Sequence, residues 1–398
     1  MYIHLALLAS FVLIYNLFAE KIEKTAINGP LLFLIFGVAI GPLFLDVFDI
    51  TIDNESYMTL AELALALVLF TDASNTNMSV LKKNIKVPSR LLLIGLPITI
   101  LFGYWVGVVI FDGFGWIELA ILATALAPTD AALGKSVATN PSVPSKIRES
   151  LNVESGLNDG ICVPVLLLFM AMFSSSTNGS IDFEFSIGLF LKEIGYGVLV
   201  GVVITFIASK LIKYSAARKW INGSRKAIII LGLSFTCFAL AQWLGGSGFI
   251  ACFTGGLLYG VLNTKKDEEL IEVAEGLGDA LTMVTWIVFG SVVVSKYIND
   301  FSIEVVLYSL LSLTVVRMVP VFFVLFKSGF NTSEKLFSGW FGPRGLASIV
   351  FAIMILDLKL PHEKTILLTI ICTVFLSIVL HGITAKPFIS ILKKKEES

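Results

Sequence analysis

Charged side chains are scarce in this chain. Aspartate, glutamate, lysine and arginine make up 15 % of its 398 residues, whereas soluble domains carry roughly 25 %. The formal net charge is −1, so the chain lacks the basic excess of a nucleic-acid-binding surface. These two shortages argue against a soluble domain and against nucleic acid as a partner.

Cysteine and histidine are also rare, with four and three residues. The cysteines lie inside apolar runs without Cys-x-x-Cys spacing, so we expect small buried side chains rather than a disulfide framework or a metal site. His381 is expected to be capped or interfacial rather than part of a proton relay. The first apolar run lacks a positively charged start and a cleavage site, which predicts a retained span instead of a signal peptide.

Long apolar runs fill most of the chain. Hydrophobic residues make up 56 % of it, and the mean hydropathy is +0.88. Runs of about 20 apolar residues have the length that crosses a bilayer as a helix. The predicted fold class is an all-α polytopic membrane protein with thirteen spans, near residues 2–19, 30–46, 57–72, 90–111, 116–139, 151–174, 185–208, 226–244, 247–262, 277–295, 303–327, 335–356 and 365–385.

Basic residues are distributed unevenly between the loops. With the N terminus outside, 23 of the 29 lysines and arginines fall in inside loops or the C-terminal tail, and four lie at outside ends. Arg317 and Arg344 lie within spans. Cytoplasmic loops are enriched in these residues. We therefore expect the N terminus outside and the C terminus inside, in the plasma membrane of a prokaryote.

Two predicted spans are interrupted. Span 5 contains "ALAPTDAALG" (125–134) and span 12 contains "WFGPRGLAS" (340–348). If spans 1–6 match spans 8–13, the offset of seven makes the second copy inverted in the membrane. Interrupted helices in corresponding positions of two such halves indicate a transporter binding site. Ordinary proline kinks are the alternative, but they do not bring an aspartate and an arginine with them.

Five charged residues fall inside the predicted spans: Asp130, Glu154, Asp159, Arg317 and Arg344. Each costs about 2.5–3.5 kcal/mol at mid-bilayer on insertion scales, so the set would cost on the order of 10 kcal/mol unless paired or hydrated. Three carboxylates against two guanidinium groups leave one unbalanced negative charge. A proton or a small cation can neutralise it, which predicts a site where the two compete.

The start of span 6, "NVESGLNDG" (152–160), concentrates oxygen ligands on one helix face. Glu154 and Asn158 are four residues apart, as are Ser155 and Asp159. Such hard oxygen ligands suit Na⁺ or Li⁺ better than soft metals. The break in span 5 should add freed backbone carbonyls, that of Thr129 among them. The alternative is a polar helix end beside a cytoplasmic loop.

Four motifs, in order, carry a family resemblance. They are "APTDAALG" (127–134), "NVESGLNDG" (152–160), "RMVPV" (317–321) and "GPRGLAS" (342–348). Together they resemble the landmarks of monovalent cation/proton antiporters, and the match is best with the NhaP/NHE-like sodium/proton exchanger branch. The resemblance covers essentially the whole chain, from "GVAIGP" in span 2 to the end of span 13.

The resemblance implies a thirteen-helix transporter with crossing helices 5 and 12. The core would comprise roughly residues 90–174 and 303–385, and a scaffold of roughly 1–89 and 175–302 would form a homodimer. The family pattern assigns cation and proton binding to Asp159 and Asp130, with help from Ser155 and from the backbone around Thr129. Asn158 replaces an aspartate of electrogenic relatives, which implies electroneutral exchange. Glu154 would form a buried ion pair, for which Arg317 fits the pattern better than Arg344.

The function expected from these features is 1:1 exchange of Na⁺ or Li⁺ for H⁺, serving pH and sodium homeostasis without a cofactor. The expected partners are the transported ions, the bilayer and a second copy of the chain. A K⁺/H⁺ antiporter would share every motif. An intramembrane aspartyl enzyme could use Asp130 and Asp159, but no Gly-x-Gly-Asp motif is present; a passive channel fits broken, charged helices poorly. Asp72, at the inner end of span 3, is either interfacial or part of the ion path.

Overall fold

The structure is a computed structural model. It describes residues 2–23, 29–45, 54–75, 86–130, 133–134, 137, 140, 142–176, 183–221, 226–262, 268–356 and 358–396. Over these ranges the regular elements are helices, and there is no β-strand. The predicted all-α class is therefore confirmed.

The helices follow one another along the chain with short connections. We number the principal ones in chain order: α1 (Tyr2–Glu23), α2 (Gly29–Ile40), α3 (Asn54–Asn75), α4 (Lys86–Ile110), α5 (Trp116–Ala125), α6 (Ser145–Ser175), α7 (Phe183–Ala217), α8 (Lys226–Trp243), α9 (Gly248–Leu262), α10 (Glu268–Val288), α11 (Ile303–Leu313), α12 (Val315–Val324), α13 (Thr332–Trp340), α14 (Leu346–Leu356) and α15 (Glu363–Glu396). A π-helical segment, Phe289–Val294, extends α10.

Most predicted spans coincide with one of these helices or with a pair of them, whereas α5 covers only residues 116–125 of span 5. Six segments in the described part of the chain are long and apolar enough to cross a membrane. Other apolar helices have 10–17 residues, so the count of thirteen crossings stays a prediction. Parts of two predictions lie outside the described residues. They are most of residues 131–139 in span 5, and the loop basic residues Lys24, Lys82, Lys83, Lys135, Arg225, Lys265 and Lys266.

The two interrupted spans are broken at their prolines. Helix α5 ends at Ala125, and the chain then runs without helical structure to Asp130. Helix α13 ends at Trp340 and α14 begins at Leu346, with residues 341–345 non-helical between them. Pro128 and Pro343 lack the backbone N–H that would continue a helix, and in a helix each ring would clash with the carbonyl four residues earlier. The prolines favour both breaks, although Pro164, Pro320 and Pro387 lie inside helices that continue.

Glycines allow neighbouring helices to approach closely. A β-carbon at Gly256 or Gly260 of α9 would collide with the backbone carbonyl of Phe70 or Ser74 on α3. Lipid supplies no hydrophobic driving force between helices, so the close packing that small residues allow stabilises their association. Helix α3 packs against both α9 and α6, which places Asp72 near its C-terminal end beside Gly156 of α6.

Span 11 contains an interruption that its sequence does not predict. Helix α11 ends at Leu313, Thr314 has a non-helical backbone, and α12 begins at Val315. Neither proline nor glycine occurs between residues 310 and 318. The consequence is that Arg317 lies in the first turn of α12 rather than in the middle of a continuous helix.

Candidate ion-binding site

Helix α6 presents four polar side chains to the interior. Glu154, Ser155, Asn158 and Asp159 have exposed fractions of 2 %, 9 %, 1 % and 8 %. Their spacing places them on adjacent stripes of one helix face, as the sequence predicts. This face is buried, so the stretch is not simply a polar helix end that faces a loop.

Glu154 is paired with Arg317 of α12. The guanidinium Nη1 and Nη2 donate to Glu154 Oε1 and Oε2 at 2.6 and 2.8 Å, which makes the contact bidentate. Both side chains are almost completely buried, with exposed fractions of 2 % and 1 %. A β-carbon at Gly342 would collide with Arg317 Nε, so a glycine at this position leaves room for the guanidinium beside the second break. The pair satisfies both carboxylate oxygens of Glu154.

The two breaks lie against each other, and a charged side chain from each binds backbone groups of the other. Arg344 from the second break donates through Nη1 to the carbonyls of Ala127 and Pro128, at 2.5 and 3.0 Å. These carbonyls follow the C-terminal end of α5, where backbone oxygens lack helical partners and the helix dipole is negative. The buried guanidinium therefore neutralises the broken end of the opposite crossing segment.

Asp130 makes the reciprocal contact. Its Oδ2 accepts a hydrogen bond of 2.9 Å from the N–H of Leu346, at the start of α14. Its backbone N–H donates to the carbonyl of Pro343 at 2.7 Å. A β-carbon at Gly345 would collide with the Asp130 carboxylate, so the "GPRG" glycines permit both close approaches. Asp130 Oδ1 accepts from the N–H of Leu133 at 2.9 Å.

Thr129 joins the first break to α6. Its hydroxyl lies 3.0 Å from Ser155 Oγ and accepts a hydrogen bond of 2.5 Å from Asn158 Nδ2. Thr129 is 1 % exposed. The break and the helix face are therefore connected by side chains inside the protein. The sequence predicts only a backbone role for Thr129, so the hydroxyl contact is an additional finding.

Asp159 differs from the other buried carboxylates. No hydrogen-bond partner reaches its Oδ1 among the described residues, and the same holds for the Asn158 side-chain oxygen. The charges that act on Asp159 are the like charges of Asp130 and Asp72 and the opposite charge of Arg344. Asp72 faces the neighbouring Gly156, where a β-carbon would lie 3.7 Å from that of Asp72. Buried oxygens without donors are the groups a cation or a proton can satisfy.

The structure therefore gathers the predicted residues around the two breaks, with different contacts. Glu154 and Arg317 bind each other, Arg344 caps a backbone end, and Asp130 accepts from two backbone groups. Thr129, Ser155 and Asn158 form a hydrogen-bonded group beside Asp159, and Asp72 adjoins it. A cavity bordered by Gly134, Asn152, Ser155 and Pro343 reaches the same helix face. The arrangement can hold one small hard cation or one proton.

Two residues of α15 have contacts with the second break that the sequence did not predict. Ser377 and His381 of α15 are 0 % and 2 % exposed and contact both sides of the second break. His381 is capped, as expected, but it is not interfacial. The signal that could have found them is their four-residue spacing, which places a hydroxyl and an imidazole on one face of an apolar span.

Comparison with known families matches nearly the whole chain. Residues 6–391 match the family model described as sodium/hydrogen exchanger, transmembrane. The K(+)/H(+) antiporter NhaP2 of Shewanella baltica strain OS223 is 24 % identical over 332 residues, covering 83 % of this chain and 56 % of the relative. The Na(+)/H(+) antiporter 2 of Zygosaccharomyces rouxii is 24 % identical over 368 residues, covering 86 % and 45 %. The chain thus spans about half the length of these curated relatives.

The fold is also shared with a solved structure. The sodium proton antiporter MjNhaP1 from Methanocaldococcus jannaschii, solved at pH 8, superposes with a TM-score of 0.74 at 24 % identity. The match covers 96 % of this chain and 98 % of the other. An electron-microscopy structure of the same antiporter gives a TM-score of 0.77 at 21 % identity. At this identity the likeness establishes the fold.

The buried pair generates a prediction about stability. We expect Glu154→Ala and Arg317→Ala each to destabilise the protein by about 3–5 kcal/mol, because each leaves an uncompensated buried charge. The double variant should be less destabilised than the sum of the two. Thermal unfolding in detergent measures all three.

The exposed pair of Lys364 and Asp300, with exposed fractions of 71 % and 42 %, provides the control. Lys364→Ala should cost only about 0–1 kcal/mol. Strict additivity of Glu154→Ala and Arg317→Ala would contradict the energetic coupling that the bidentate contact implies.

Proposed function

Because this chain belongs to the sodium/hydrogen exchanger family, we propose that it is a secondary antiporter that exchanges Na⁺ or Li⁺ for H⁺. It is a multi-pass integral membrane protein and a transporter, so an intramembrane aspartyl enzyme is excluded by its family. The observation that carries the proposal is the buried Asp159 Oδ1, which lacks a hydrogen-bond donor among the described residues. Asp159 follows Asn158 in α6, lies one helical turn from Ser155, and is near enough to Asp130 for the two charges to interact.

The proposed mechanism is competition between a proton and a cation at Asp159. When the carboxylate is ionised, a cation can be bound by Asp159, Ser155 and the backbone around Thr129. Asp130 would join them as the second carboxylate, because its charge acts on Asp159. When a proton binds Asp159, the negative charge that held the cation is removed. The two substrates therefore exclude each other.

The remaining residues have supporting roles in this proposal. Glu154 and Arg317 neutralise each other, Arg344 neutralises the end of α5, and Asn158 fixes the Thr129 hydroxyl. Asp72 lies in the proposed scaffold and would attract cations towards the site from the cytoplasmic side.

Movement of a core relative to a scaffold would expose the site to each side in turn. We propose the core near residues 90–174 and 303–385, and the dimer-forming scaffold near 1–89 and 175–302. The N terminus would lie outside and the C terminus in the cytoplasm of a prokaryotic cell, where the exchange would regulate pH and sodium. These assignments follow from the charge distribution and the family resemblance.

K⁺ is the competing substrate, because several similar proteins are named K(+)/H(+) antiporters. The cavity and the oxygens around Asp159 suit any hard monovalent cation. Purified protein in liposomes with an internal pH dye separates the possibilities. We expect gradients of Na⁺ or Li⁺ to drive proton movement at least about tenfold faster than an equal K⁺ gradient, which corresponds to about 1.4 kcal/mol of selectivity. Faster flux with K⁺ would reassign the substrate while leaving antiport intact.

Removal of the charge at Asp159 tests the site. Asp159→Asn should abolish cation-driven proton flux, because an amide neither carries a titratable proton nor balances a cation. Asp130→Asn should impair it severely, since the oxygen shell loses its second charge. Asp300→Asn, at an exposed carboxylate outside the site, should leave flux unchanged. Normal flux in folded Asp159→Asn protein would refute the assignment.

The exchange should be indifferent to membrane potential. Glu154, Asp130 and Asp159 against Arg317 and Arg344 leave one exchangeable charge in the core, and Asn158 adds no further protonation site. One uncompensated charge would couple transport to voltage by about 2.3 kcal/mol per 100 mV. Proton flux is measured in liposomes clamped with potassium and valinomycin, under a fixed Na⁺ gradient. A steep change of rate with voltage, or a reversal point away from 1:1, would mean that a second proton moves.

A further inference from the structure

The break in the second crossing segment is held at both ends by α15. On one side, His381 Nε2 lies 2.8 Å from the carbonyl of Trp340, the last residue of α13. On the other, the N–H of Arg344 donates to Ser377 Oγ at 2.7 Å. The break from Phe341 to Gly345 is therefore held by the His381 imidazole at Trp340 and by the Ser377 hydroxyl at Arg344.

Ser377 and His381 also contact each other. Ser377 Oγ lies 3.3 Å from His381 Nδ1. Nε2 donates to the Trp340 carbonyl when it carries a hydrogen, and Ser377 Oγ accepts from the Arg344 N–H. Ser377 and His381 therefore connect the two ends of the break through one set of polar contacts.

The ring of His381 is also held by its own helix and by two aromatic side chains. Nδ1, when it carries a hydrogen, donates to the Ser377 carbonyl, 2.9 Å away. Trp340 and Phe341 pack against the ring, with centroid distances of 5.1 and 6.3 Å. These contacts fix the orientation of the ring, so that Nε2 is directed at the Trp340 carbonyl.

The contacts of Ser377 and His381 bear on the position of the polar groups in the second break. Arg344 lies in the break and Leu346 directly after it, and these two residues bind the first break through Ala127, Pro128 and Asp130. We infer that Ser377 and His381 are positioning residues, which set the separation of α13 and α14 and thereby the placement of the Asp130 carboxylate. In its effect on transport, the inference rests on the proposed antiport function.

The variants separate hydrogen bonding from packing and from titration. Ser377→Ala removes one bond, and His381→Phe keeps a ring but removes the donor. His381→Gln keeps an N–H near the Nε2 position and cannot bind a proton. Thr373→Val is the matched control, because Thr373 is one turn earlier on α15, is fully buried, and donates instead to Ser309 at 2.9 Å.

The first measurement is the apparent KM for Na⁺ and the maximal rate in liposomes. Ser377→Ala and His381→Phe should raise the KM by about three- to tenfold, the equivalent of one hydrogen bond. His381→Gln should stay within about twofold of the unmodified protein and keep its pH profile, and Thr373→Val should leave the KM unchanged. If Ser377→Ala and His381→Phe leave the KM unchanged, or His381→Gln is as impaired as His381→Phe, the inference is overturned.

The second measurement does not depend on transport. Hydrogen–deuterium exchange of the peptide containing residues 341–346 should accelerate in Ser377→Ala and His381→Phe, but not in Thr373→Val. Absence of cation-driven flux in the unmodified protein would refute the proposed function. Unchanged hydrogen–deuterium exchange in both Ser377→Ala and His381→Phe would refute the positioning role. The two failures are therefore distinguishable.

Discussion

The structure depends on the exchange of capping groups between the two helix breaks. A helix that stops inside a membrane leaves backbone carbonyls and N–H groups without partners, and no water is present to satisfy them. Arg344 binds the carbonyls after α5, and Asp130 binds the N–H at the start of α14. Each half therefore supplies the charge that the other half's broken helix requires. Neither break is electrostatically complete without its counterpart.

This exchange divides the buried charges into those that hold the framework and those that remain available. Glu154 and Arg317 satisfy each other through two hydrogen bonds, and Arg344 is engaged with backbone oxygens. Asp159 is left with an oxygen that no described donor reaches. The framework groups keep the polar centre in place, while the remaining carboxylate can alternate between partners. A site with competing occupants needs both properties, because an unsupported carboxylate would reorient to find its own donor.

Much of this architecture could be read from the sequence, because bilayer spans and proline breaks are local properties. Runs of about 20 apolar residues locate the helices, and Pro128 and Pro343 locate the breaks. The family resemblance also anticipated Arg317 as the partner of Glu154. The interruption at Thr314 was not predicted, because no proline or glycine occurs there. The contacts of Ser377 and His381 with the second break were not predicted either, because they depend on which backbone groups approach α15. The cap formed by Asp130 likewise depends on Leu346, 216 residues away, and no local pattern encodes that distance.

The reciprocal capping also has a consequence for biosynthesis. Ala127 lies 217 residues before the arginine that binds its carbonyl. At roughly 5–20 residues per second, a ribosome needs on the order of 10–40 seconds to cover that interval. During this time the first break has entered the membrane region, but the guanidinium that neutralises it has not yet been made. The nascent first half must therefore be tolerated by water, lipid headgroups or the insertion machinery until the second half arrives and closes the polar centre.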